Sequence, residues 1–134
     1  MTNSHEIQRI QIVLQAEERL LLHLVLSSDG TIQRLGSGRL DNEEFTLVNG
    51  VADKALFDAV LKSLPEEFLE SEGSYSDPNL RGQRLGLSIT LMVNGGEHSF
   101  HIVYGSESEG PPDDVVAFVM SAKELTESWY QRMK

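Results

Sequence analysis

The sequence predicts an α+β fold: a five-stranded, mainly antiparallel sheet in the order β-β-β-α-β-β-α, with two helices packed on one face. Three observations carry this reading. Two blocks of the chain show apolar residues at period two, broken by turn dipeptides. Two other segments switch to helical period. The 134 residues contain no repeat, low-complexity tract or dividing linker, which is the expectation for one domain over residues 1–134.

Residues 7–15, IQRIQIVLQ, put Ile10, Ile12 and Leu14 on one side of a strand, although Ile7, Ile10 and Leu14 would also satisfy a helix. After the polar break AEE comes RLLLHLVLSS, apolar on both faces. Asp29-Gly30 is a favoured hairpin dipeptide and leads into TIQRLGSG, completing a three-strand meander. In VADKALFDAVLKSL, Leu56, Val60 and Leu64 recur every four residues, with Ala52, Phe57 and Leu61 alongside, so the segment reads as an amphipathic helix. Pro65 stops it or restarts it as one further turn, PEEFLE. SEGSYSDPNLRG has the composition of a loop.

LGLSITLMV alternates, with Leu85, Leu87, Ile89 and Leu91 on one face. Asn94-Gly95 favours a two-residue hairpin loop, because both of its positions need positive φ. That loop pairs Val93 with Gly96, Leu91 with His98, Ile89 with Phe100, Leu87 with Ile102 and Leu85 with Tyr104. On the other face it sets Ser88 opposite His101 and Thr90 opposite Ser99. The closing segment, GPPDDVVAFVMSAKELTESWYQRMK, is a long helix. Its stripe is Val115, Phe118, Val119, Ala122, Leu125 and Trp129. Pro111, Pro112, Asp113 and Asp114 suit its start, and Arg132 and Lys134 suit its end. The layout, with SSDGT in the first hairpin, resembles that of some small uncharacterised bacterial domains, and it carries no active site to transfer.

The most chemical-looking stretch is NGGEHSFHIVYG, residues 94–105, with two histidines and a glutamate. His98 and His101 are an odd number of residues apart, so on a strand they point to opposite faces and cannot share a metal. No nucleophile elbow, phosphate-binding loop or dinucleotide fingerprint is present. GSGR at 36–39 reads as a strand end or bulge. The acid pairs Glu17/Glu18, Glu43/Glu44, Glu66/Glu67 and Asp113/Asp114 fall in turns or helix starts, where solvated carboxylates are expected. Glu107, Glu109, Asp113 and Asp114 could offer oxygens to calcium, but their spacing is not that of an EF-hand loop. No catalytic residue, cofactor or metal ligand is assigned.

The chain carries a net charge of −10 and no cysteine. Missing thiols remove disulfides and sulfur-based zinc sites and fit a reducing compartment. No signal peptide and no apolar run of transmembrane length are present, so a cytoplasmic location is expected. The acids are spread along the chain and no basic footprint accompanies them, which argues against nucleic acid and anionic membrane as partners.

The outer sheet face is the feature closest to a function. If Leu20, Leu22, Leu24 and Leu26 face the helices, then Leu21, His23 and Val25 face away, together with Met92, His101 and Val103. A solvated sheet face is mostly polar, whereas this one is half apolar. The expectation is a small acidic non-enzymatic protein-interaction module whose partner is another protein or itself. A homodimer through Leu21, His23, Val25, Met92, His101 and Val103 is its simplest form, with His23 and His101 meeting there to make the contact pH-sensitive. Two alternatives stand beside it. One is an inhibitor or immunity-type protein that neutralises a basic partner. The other is a small-molecule binder or enzyme using the 72–84 loop, with Tyr75, Asp77, Arg81 and Arg84 as its polar groups.

Overall fold

A computed structural model describes residues 7–41, 43–65, 73–76, 81–93, 96–107 and 110–133. It shows seven strands and two helices in the chain order β1 (Ile7–Ala16), β2 (Arg19–Ser27), β3 (Thr31–Leu35), β4 (Val48–Val51), α1 (Lys54–Lys62), β5 (Gly73–Ser76), β6 (Arg84–Val93), β7 (Gly96–Gly105) and α2 (Asp113–Met133). The sheet order is β4-β3-β2-β1-β6-β7-β5. Every pairing is antiparallel except β5 with β7, which is parallel.

The α+β class stands, but the five-stranded sheet is corrected to a mixed sheet of seven. The two additions are four-residue edge strands, VNGV and GSYS. GSYS lies inside the segment expected to be a loop. Both are short, and neither alternates apolar with polar residues, so their pairing is set by the neighbouring strand and not by their own pattern.

The meander and the second hairpin form as expected. The β2–β3 turn is held by Asp29, whose carboxylate accepts from the Thr31 amide at 2.9 Å. Gly30 takes φ +96°, and a Cβ there would come within 2.8 Å of the Ala52 carbonyl oxygen, so glycine answers both demands. Between β6 and β7 the register runs Val93↔Gly96, Leu91↔His98, Ile89↔Phe100, Leu87↔Ile102 and Leu85↔Tyr104, the pairing expected from a two-residue loop. Residues 94 and 95 themselves lie outside the described residues.

One face of the sheet is dry. Ile10, Ile12, Leu22, Leu24, Leu26, Ile32, Leu87, Ile89, Leu91 and Phe100 are buried in one cluster with Phe57, Val60 and Leu61 of α1 and Val115, Phe118, Ala122, Trp129 and Tyr130 of α2. α1 starts at Asp53, whose side chain accepts from the Ala55 amide at 3.0 Å. It ends at Lys62, and the further turn expected after Pro65 lies outside the described residues. α2 starts from the Pro112 carbonyl, which accepts from Val115 and Val116, with Asp113 and Asp114 in its first turn. Its buried stripe differs from the expected one. Leu125 is 40% exposed, and Thr126 takes the inward position, its hydroxyl donating to the Ala122 carbonyl at 2.8 Å.

Candidate interaction face

The opposite face of the sheet has no buried residue at its central positions. Gln11 and Val13 of β1, His23 and Val25 of β2, Gln33 and Leu35 of β3, Ser88, Thr90 and Met92 of β6, and His101 and Val103 of β7 are all half-buried. Strand alternation places them there, since each is offset by one from a core residue. Their pairings make continuous rows. Leu35, His23, Val13, Ser88, His101 and Ser74 follow one another across six strands. Gln33, Val25, Gln11, Thr90 and Ser99 form the next row.

Of the residues expected here, His23, Val25, Met92, His101 and Val103 are in place. Leu21 is not. It is 1% exposed and belongs to the core cluster. The cause is a register shift: Leu14 pairs with Leu22, but Gln15 pairs with Leu20, leaving Leu21 without a partner on β1. Such a bulge resets which side chains turn inward. Leu20 is accordingly only half-buried. Val13 and Leu35 are apolar members of the face that sequence reasoning did not collect. Val13 was within reach of it, because it alternates with Ile12 and Leu14, but Leu35 was not, because its neighbour Arg34 reads as the solvated residue.

His23 and His101 do not meet within one chain, because β1 and β6 lie between their strands. His101 is instead bonded to Ser88, Nδ1 to Oγ at 2.6 Å, and Thr90 and Ser99 hydroxyls are 3.2 Å apart. A serine beside an imidazole is the start of nucleophilic chemistry, but a third group must orient the base and a site must hold the reacting carbonyl. His101 is in no ion pair with a carboxylate among the described residues. The pair reads as a cross-strand hydrogen bond on an open sheet.

Acids are nearly missing from this face. Among the described residues Glu97 is the only acid in any of the seven strands, although the chain holds 21. It sits at one end, where Arg9 approaches it at 3.6 Å. A shallow depression of about 350 Å³ over β1–β3 is lined by Arg9, Gln11, His23, Val25, Ser27, Thr31 and Gln33, with Arg9 the only charged residue there among the described residues.

The other expected sites fare differently. Tyr75 sits on β5, its ring 5.4 Å from that of Phe100. Arg81 and Arg84 are exposed, and Asp77 lies outside the described residues. Glu109 of the acidic loop also lies outside them, and among the described residues no group of three or more His, Asp or Glu side chains could hold a metal ion. Gly36 and Gly38 of GSGR leave the end of β3 with positive φ and make a loop. No helix among the described residues is long and apolar enough to cross a membrane. Compared with known proteins, the chain matches no family model and no curated relative.

Proposed function

We propose that this protein is a non-enzymatic interaction module that pairs with a second copy of itself through the uncovered sheet face. The observation that supports this most is the charge distribution. A chain of net −10 keeps its strands almost free of acids, and loss of charge, more than bulk apolarity, marks the centre of a protein interface. A face built to capture a basic partner would carry the acids instead.

The size is suitable. Four strands of nine or ten residues give roughly 600 Å² of sheet at ~3.3 Å per residue and ~4.8 Å per strand, against ~800 Å² per partner in a standard interface. The row from Leu35 to Ser74 also has a near-symmetric middle. A two-fold axis along the strands, between Val13 and Ser88, lays β2 of one copy over β7 of the other. His23 then faces His101 of the second copy. Such aligned sheet packing is a common way to bury two sheet faces.

Sedimentation equilibrium over a wide concentration range tests the reading. A dimer is expected near pH 7.5, and Val25→Glu or Val103→Glu, at half-buried positions, should return it to monomer without unfolding it. Weakening near pH 5.5, where histidines gain charge, would place imidazoles in the contact. A monomer at every concentration and pH overturns self-pairing.

A further inference from the structure

A cavity of about 190 Å³ lies on the buried side of the sheet, under the first half of α2. Its floor is one cross-strand row: Leu22, Leu14 and Leu87 are register partners on β2, β1 and β6. Its roof is a second stripe of α2, Val116, Val119, Met120 and Lys123, beside the stripe that packs into the core. The roof is not closed over, since Val116 is 41% and Met120 45% exposed. Gly38 forms one wall. Its φ is +78°, and a Cβ there would lie 3.3 Å from Lys123 Cδ and 3.7 Å from Leu22 Cδ2, so a side chain at this position would crowd the space.

Two polar side chains border this apolar volume, and neither is engaged. Lys123 takes part in no ion pair among the described residues, although the chain has almost twice as many acids as bases. Tyr104 makes no side-chain hydrogen bond among them, and burial raises its pKa from its ordinary value, so its hydroxyl stays a neutral donor. The two stand at opposite ends of the floor, Lys123 beside Leu22 of β2 and Tyr104 on β7, and an apolar hollow with a few polar groups is the usual form of a small-ligand site.

We infer that this cavity binds a small monocarboxylate with an apolar body, such as an aryl-alkanoate. Its carboxylate meets the Lys123 ammonium, and its ring lies on the leucine row toward Tyr104. Size sets the class: an aliphatic cavity of about 150 Å³ accommodates benzene, so this one takes a ring and a short chain. The site is on the other side of the sheet from the pairing face and does not depend on it.

Calorimetric titration with 3-phenylpropionate, and with 3-phenylpropanol as its uncharged counterpart, tests this. The acid should bind with a Kd of about 0.1–1 mM, the range for so few atoms, and about tenfold more tightly than the alcohol. Lys123→Met should erase that preference. Val119→Phe should abolish binding of both, and Val116→Phe, at a more exposed position, serves if the first variant fails to melt cooperatively. No binding by the folded wild type overturns the site. Binding that survives the filled cavity places the ligand elsewhere and also overturns it. Equal affinity for acid and alcohol removes the carboxylate and Lys123 from it.

Discussion

Arg34 shows how one residue can tie three parts of the chain together. It sits at an inward position of β3 and is completely buried. Its Nε donates to the Gly36 carbonyl at 3.2 Å, and its Nη1 donates to the Lys123 carbonyl at 3.1 Å and the Thr126 hydroxyl at 3.0 Å. Nη2 lies 3.5 Å from the Glu127 carboxylate, and the guanidinium stands 4.8 Å from the centre of the Tyr130 ring. Burial lowers its pKa, while Glu127, Glu44 and Tyr130 pull it back up. Among the described residues Nη2 has that ion pair and no hydrogen bond, and burying a cation is costly unless its donors are met, so each acceptor matters more than it would in water. Thr126→Val removes one acceptor and leaves shape nearly unchanged. It should cost about 1.5–3 kcal/mol, the scale for a hydrogen bond to a charged group, read as a lower urea midpoint at unchanged slope. Tyr130 extends the same junction, donating to the Thr46 carbonyl at 2.8 Å and accepting from the Gly36 amide at 3.2 Å. None of this was visible in the sequence, where Arg34 alternates with Gln33 and Leu35 like any solvated strand residue.

At the scale of elements, the bulge in β2 decides which leucine is structural. Leu21→Ala should cost about 2–5 kcal/mol, the range for truncating a buried leucine. Val25→Ala, half-buried three strand positions past Leu22 and so on the other face, should cost under about 1 kcal/mol by the weaker burial of its side chain. Chemical denaturation of the two variants separates these outcomes, and equal losses would place Leu21 outside the core. The same contrast explains what was legible. The β6–β7 register follows from a loop dipeptide and matched apolar positions, both local, so every pair could be written down in advance. The bulge has no such signal, because RLLLHLVLS is apolar on either phase and does not reveal where alternation slips. β4 and β5 were missed for a related reason: four residues with glycine or serine acquire strand geometry from β3 and β7, which are distant in sequence. For α2 the period was plain, but a stripe drawn through Leu125 is rotated slightly from one drawn through Thr126. Thr126 takes the inward place, where its hydroxyl accepts from Arg34. Of the face itself, five of six expected residues were placed by parity alone.

The whole molecule combines a strongly negative chain with a sheet face poor in acids, and those two properties act against each other in a pair. Bringing together two chains of −10 each costs long-range repulsion, whereas the contact itself gains from apolar and hydrogen-bonding groups that salt affects little. The repulsion is screened beyond roughly 10 Å at 0.1 M salt and beyond roughly 3 Å at 1 M. Self-association should therefore strengthen as sodium chloride rises from about 0.01 M to 1 M, with most of the gain below about 0.2 M, where the screening length falls fastest. A complex with a basic partner has the opposite sign, because there salt screens an attraction. Sedimentation equilibrium along a salt series reads the sign directly. A dimer constant that falls with salt would mean that opposite charges hold the contact. Arg9 and Glu97, at the end of the face, would then be the groups to exchange first, by Arg9→Glu together with Glu97→Arg.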